Sequence, residues 1–197
     1  KVHVMEHNHA FQLQRFRLEG NSWLEYVPDP VILHRHARFM QDTWVTLPES
    51  ACFLYGEILM PGRRWHHEEE QFGFDLYSAR FHVCRKDGET PLFEERLVLE
   101  PDEENFCSAG VMNGFEVFGS MFALVPEPLA AQIGGAVGCA VTRDLAWGVL
   151  KLPEGAGLAL RVLGHSVESV RQKTREFHSL VREKGLGRPL PPDFLWR

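Results

Sequence analysis

Three observations predict a mainly β chain of stacked antiparallel and mixed sheets, with one short helix and one longer C-terminal helix. Apolar and polar residues alternate with a period of two in short runs as far as Glu100. Asp87-Gly88 stands between two of these runs, a strong hairpin signal. The apolar period changes to three and four only after Ser166.

Each element follows from its own residues. From Val2 to Leu18 the alternation puts Phe11 and Leu13 on one parity and Phe16 and Leu18 on the other, which predicts a strand with a bulge or break near Gln14 and Arg15. Gly20-Asn21 reads as a turn, and Trp23 to Val27 as a short aromatic strand stopped by Pro28-Asp29-Pro30. Val31 to His34, Phe39 to Leu47 and Ala51 to Met60 are further strands. The last is nearly all apolar and is expected to be covered on both faces. Phe74 to Arg85 pairs with Pro91 to Glu100 through Lys86-Asp87-Gly88-Glu89.

Past the acidic turn Pro101 to Glu104, glycines interrupt every run, and only a short helix from Glu127 to Ile133 is expected. Ala136 to Thr142, Ala146 to Leu152 and Gly157 to Leu163 form a last group of strands, with Pro153-Glu154-Gly155 as a turn. Val167, Val170, Thr174, Phe177 and Val181 then make one stripe on a helix that Ser166 caps and Gly185 ends. The tail from Gly187 is expected to be extended, with Phe194, Leu195 and Trp196 packed back on the body. Without an internal repeat or low-complexity linker, residues 1–197 read as a single domain.

Composition narrows the function. The chain is 44% hydrophobic and 24% charged, which makes it globular and not disordered. Its 27 acidic and 21 basic residues give a net charge of -6, which argues against nucleic acid or an anionic membrane surface as a partner. The least charged stretch, Val111 to Thr142, is broken by Glu116, Pro126, Glu127, Pro128 and several glycines, so it predicts no membrane span. Starting at Lys1, with no Met and no apolar signal core, the chain reads as a fragment whose first part is missing. Cys52, Cys84, Cys107 and Cys139 include no C-x-x-C pair, so buried free thiols in a reducing cytoplasm are expected.

Candidate chemistry is sparse. His7 and His9, and His34 and His36, are each two apart. On a strand such residues share a face and offer two imidazoles to a metal such as nickel or zinc. Strand-face histidines hydrogen-bonded to neighbours fit the same pattern. A cupin-like metal enzyme needs a Glu ligand soon after its H-x-H, and Ala37-Arg38-Phe39-Met40 follows instead. No G-x-S-x-G or phosphate loop occurs, and Gly134 to Gly138 suits a packing or turn role. Glu68-Glu69-Glu70 and Asp102-Glu103-Glu104 read as solvated turns, with acid–base work as the alternative. Arg171, Lys173, Arg175, Arg182 and Lys184 read as the wet face of the last helix.

Gly20-Asn21-Ser22-Trp23-Leu24-Glu25-Tyr26-Val27-Pro28-Asp29-Pro30-Val31-Ile32 resembles the G-x-x-L-E-W-L-P-x-x-x-I segment of the UreD (UreH) urease accessory protein family. In the same order, Gly62-Arg63-Arg64-Trp65-His66-His67-Glu68 is similar to its G-R-x-x-x-G-E element, and Arg80 to Leu99 to its next hairpin. Gly157 to Gly164, with Arg161, and the following helix and tail resemble its C-terminal end. His67 departs from the usual Gly, Tyr26 from the frequent Trp, and the family's N-terminal G-G-x-x-x-G-D element is absent from this sequence.

The resemblance implies a cytoplasmic, non-enzymatic scaffold or metallochaperone. It would bind the urease structural subunits and recruit UreF and, through UreF, the GTPase UreG, with no tightly bound cofactor and nickel in transit. Trp23, Leu24, Glu25, Pro28, Gly62, Arg63, Glu68 and Arg161 are its motif residues, structural or at an interface. His7, His9, Glu25, His34, His36 and Glu57 are the candidate transient ligands, since imidazole and carboxylate donors release nickel more readily than thiolates do. A small metal-dependent enzyme and a generic interaction module remain as alternatives.

Overall fold

The computed structural model describes residues 1–63, 66–87, 90–103 and 105–191, with Glu68 described by its backbone alone. The expected packing of Phe194, Leu195 and Trp196, the Gly88-Glu89 part of the hairpin turn and the motif residues Arg64 and Trp65 lie outside the described residues. Two compact units divide the chain. The first takes Lys1–Glu19, Val31–Pro48 and Leu59–Glu116, the second Gly20–Pro30, Glu49–Ile58 and Val117–Arg197.

In the first unit, β1 (Ala10–Arg17), β4 (Arg38–Leu47), β6 (Leu76–Arg85) and β7 (Pro91–Leu99) form a mixed sheet in the order β1-β4-β6-β7. The β6–β7 pair is the expected antiparallel hairpin. The bulge expected in β1 is absent: β1 runs parallel to β4 in unbroken register from Ala10↔Phe39 to Arg17↔Thr46. The parity change in the sequence has another cause, because Phe11 and Leu13 lie on the outer face, 55% and 47% exposed. On β4 the odd residues Phe39, Gln41, Thr43, Val45 and Leu47 are buried. The short strand β3 (Val31–Ile32) pairs with Leu59 and Met60 and stops two residues before the expected end: Leu33 bridges Val2, and the His34 carbonyl accepts from Ala37 N–H in a turn.

In the second unit, β2 (Trp23–Tyr26), β5 (Cys52–Met60, as far as Ile58), β8 (Val117–Leu124), β11 (Leu158–Gly164), β10 (Leu145–Lys151) and β9 (Ala140–Val141) lie side by side in that order. The strand β5 is buried along nearly its whole length, as its apolar run predicts. Among the described residues two α-helices complete the unit, α1 (Glu127–Ala136) and α2 (Val167–Leu186). Val170, Phe177 and Val181 of α2 pack with Leu54, Met121, Leu160 and Val162 in one apolar core. Burying such side chains is worth roughly 1.5–3 kcal/mol each.

The central strand β8 was missed because Gly119 breaks its pattern, yet a Cβ at that position would run into Val170 of α2, so the glycine lets the helix seat. The strand expected from Ala136 to Thr142 shrinks to Ala140–Val141, because α1 continues past Ile133 through Gly134 and Gly135 to Ala136, its apolar side burying Ala130 and Ile133. Gly185 does not end α2. The helix ends at Gly187, which has a φ of 69° and donates its N–H to the Glu183 carbonyl, while Ser166 caps the start by accepting from Ser169 N–H.

No helix among the described residues is long and apolar enough to cross a membrane. The four cysteines are free thiols; Cys52, Cys84 and Cys107 are half-buried and Cys139 is exposed.

Candidate functional site

Alternation along β2 and its exit places Trp23, Glu25 and Val27 on the face that α2 covers, level with Leu54 and Gly56 of β5. Trp23 lays its ring against Gly185, where any Cβ would clash with the indole. Its Nε1 donates to Glu25 at 2.5 Å. The Glu25 carboxylate also takes His178 Nε2 at 2.9 Å and one Arg182 η nitrogen at 2.7 and 2.8 Å to its two oxygens. Burial pushes the Glu25 carboxyl up, but the bonds from Trp23, His178 and Arg182 outweigh it and hold the group below the usual carboxylate range. His178 is 2% exposed. Burial depresses its pKa, and the bond and charge of Glu25 restore only part of that loss. The neutral ring therefore donates from Nε2 to an ionised carboxylate.

Beyond this anchor, Val27 leads into Pro28-Asp29-Pro30, which with Ile58 forms one wall of a groove whose other wall is Arg171, Thr174, Arg175 and His178 of α2. Its open volume is about 470 Å³. Arg171 reaches Asp29 at 3.3 Å across the rim. Arg175 donates to the Pro191 carbonyl at 2.6 Å, and Leu190 N–H to Ser179 Oγ at 3.2 Å, which lays the chain after α2 back against the helix.

The other motif and ligand candidates in this unit face the opposite way. Leu24 is 38% exposed on the far side of β2. Glu57 accepts from Tyr55 Oη at 3.3 Å on the face of β5 opposite to Leu54, so Glu25 and Glu57 are not brought together. Arg161 lies over the Phe122 ring at 4.7 Å and bonds Ser120 Oγ.

A second polar cluster sits in the first unit. Gly62, at a φ of 110°, packs against the Glu70 carbonyl where a side chain has no room. Arg63 grips Glu70 with Nε at 3.2 Å and an η nitrogen at 2.6 Å, and Arg35 N–H adds a third bond at 3.3 Å. The Arg63 fork, against some opposing burial, holds the Glu70 carboxyl low. Arg35 pairs with the neighbouring Glu69. The acidic partner of Gly62-Arg63 is thus Glu70, while the side chain of Glu68, the residue matched to the motif, lies outside the described residues.

The histidines do not form the expected strand-face pairs. His7 and His9 precede β1 in exposed, non-strand chain. His34 and His36 straddle a turn: His36 is exposed and meets Asp75 at 3.1 Å, whereas His34 is 6% exposed. Among the described residues His34 Nε2 has no hydrogen-bond partner, and its ring lies 4.9 Å from that of His3, edge to face. Burial, then the charge of Arg63, depresses the pKa of His34. No group of three or more His, Cys, Asp or Glu able to hold a metal ion occurs among the described residues.

Sequence reasoning missed His178 and assigned Arg182 to the wet face, although Arg182 is held against Glu25 with its side chain 19% exposed. The signal was present. His178 falls between Thr174 and Val181 on the apolar stripe, where a polar residue needs a buried partner.

The whole chain, residues 1–197, matches the family model described as UreD urease accessory protein. It is 40% identical over 199 residues to Urease accessory protein UreD of Yersinia pseudotuberculosis serotype O:1b (strain IP 31758), covering 100% of the chain and 62% of the relative. The protein of the same name from Yersinia enterocolitica is 39% identical over 204 residues, covering 100% of the chain and 63% of the relative. Urease accessory protein UreD 2 of Brucella suis biovar 1 (strain 1330) is 38% identical over 198 residues, covering 100% of the chain and 65% of the relative. The chain therefore spans less than two thirds of the length of these relatives.

Proposed function

The chain belongs to the UreD urease accessory protein family, and on that premise we propose that it works as a non-enzymatic adaptor in urease maturation. It holds the urease structural subunits and recruits UreF and, through UreF, the GTPase UreG, in the cytoplasm, with nickel as the cargo of the assembly. The observation that carries this reading is the family match across every residue of the chain.

The motif chemistry supports it. Trp23 and Glu25 are spent on fixing α2, and Arg63 on fixing the loop through Glu70. An adaptor gains from such fixed surfaces, because a preorganised face loses less entropy when a partner of about 800 Å² docks on it. For nickel in transit, His34 is the best placed of the six candidates, with a buried ring whose Nε2 has no hydrogen-bond partner among the described residues. Glu25 is the worst placed, since Arg182 already supplies the positive charge a cation would bring.

The test uses the purified protein in the longest form its coding sequence specifies. Co-elution with apo-urease and UreF at micromolar concentrations, and restored urease activation on adding UreG, GTP and nickel, is expected. Separate elution of all components would refute the adaptor role, and turnover of a small molecule by the purified protein alone would refute the non-enzymatic one.

A further inference from the structure

The structure assigns a docking role to the groove between the Val27–Pro30 segment and α2: it receives an apolar side chain of a partner protein followed directly by a carboxylate. The identity of that partner rests on the adaptor reading; the chemistry of the groove does not.

One wall is mostly apolar, with Val27, Pro28, Pro30 and Ile58 beside the single charge of Asp29. Two prolines fix φ on that wall, and the Glu25 bonds to His178 and Arg182 fix the helix opposite, so the cleft exists before a ligand arrives. Its enclosed part has room for about four to six waters, the space of one side chain. It suits one large side chain, the usual form of an interface anchor.

Charge selects what lies beside that anchor. Arg171 stands at the rim with its side chain 51% exposed, and its contact to Asp29 is a long 3.3 Å between two exposed groups. A partner carboxylate in the bidentate geometry guanidinium favours displaces so weak a contact. Arg175 on the same wall makes the local field more positive.

The test titrates the full chain, methyl-labelled for NMR, with the blocked tetrapeptide Ac-Gly-Phe-Asp-Gly-NH2 and with its Asp-to-Asn and Phe-to-Ala versions. Saturable shifts at the Val27, Ile58 and Thr174 methyls are expected, at least tenfold weaker for either altered peptide. Arg171→Glu should abolish them. Asp29→Asn should tighten binding severalfold by releasing Arg171, a gain that damage to the fold would not produce. No saturable shift at these methyls, or equal binding of the Asn peptide, overturns the assignment.

A second arm measures co-elution with apo-urease and UreF. Loss of assembly with Arg171→Glu ties the groove to those partners, and assembly equal to the parent protein overturns that role. If the parent protein fails to assemble at all, the adaptor reading falls, and the peptide titration still decides what the groove binds.

Discussion

Glu25 and Glu70 answer to nearly the same description, each a motif-region glutamate gripped by an arginine, yet they do different work. Glu25 is bonded to residues 153 and 157 positions away, so it ties a strand to a helix. Glu70 is bonded to Arg63, seven positions away, and to the Arg35 N–H, 35 positions away, so it closes one loop and pins it to the turn after β3. Both carboxylates are largely buried, so the difference lies in the chain separation each spans: the longer the loop a contact closes, the more it ties together.

The sharpest way to break the comparison is to remove the Glu25 charge. Glu25→Ala leaves Arg182 and His178 without their acceptor in a largely buried place, and should cost about 3 kcal/mol in urea denaturation. A loss below about 1 kcal/mol would make the anchor no stronger than a surface pair.

Next in size is Gly185→Ala, which drives a methyl into the Trp23 ring and should cost about 1–3 kcal/mol. Gly187→Ala tests the same helix end by another route, costing about 1 kcal/mol through its left-handed φ alone. Equal losses from the two substitutions would argue against the Trp23 contact.

Acidification should weaken the anchor in two steps. His178 and Glu25 both have folded pKa values below their unfolded ones, so the folded state binds fewer protons and stability falls as pH falls. The His178 contribution is complete above its unfolded value of about 6.5 and shrinks below it; that of Glu25 is complete above about 4.3 and shrinks below that. Denaturation midpoints at pH 7.5, 5.5 and 4 should decline in the parent protein, and the step between 7.5 and 5.5 should shrink in His178→Gln.

The smallest effect is expected at Glu70. Glu70→Gln should leave global stability nearly unchanged and raise amide exchange between Gly62 and Gly73, whereas a large drop in melting temperature would put Glu70 on a par with Glu25.

The fold class, the hairpin of β6 and β7 and the register of α2 were legible because each is a local pattern. What failed to show had tertiary causes. Gly185 and Gly187 are equally good helix terminators on paper, and only the indole of Trp23 distinguishes them. Gly119 reads as a strand breaker until Val170 is seen above it. Three consecutive glutamates read as a solvated turn, yet Glu70 is buried and bonded by the Arg63 guanidinium. Phe11 and Leu13 suggested a bulge because apolar residues were assumed to face inward, and here they do not. In the candidate site, Glu25 was found by family resemblance, but its acceptor role was not, since nothing local links β2 to His178.

The chain passes from one compact unit to the other after residues 19, 30, 48, 58 and 116, so neither unit is a continuous stretch of polypeptide. Synthesis on the ribosome therefore strands Glu25: 153 residues separate it from His178, which at about 5–20 residues per second is a delay of roughly 8–30 s. During that interval the strand bearing Trp23 has no helix to rest on, and a nascent-chain chaperone or an early partner would meet it bare.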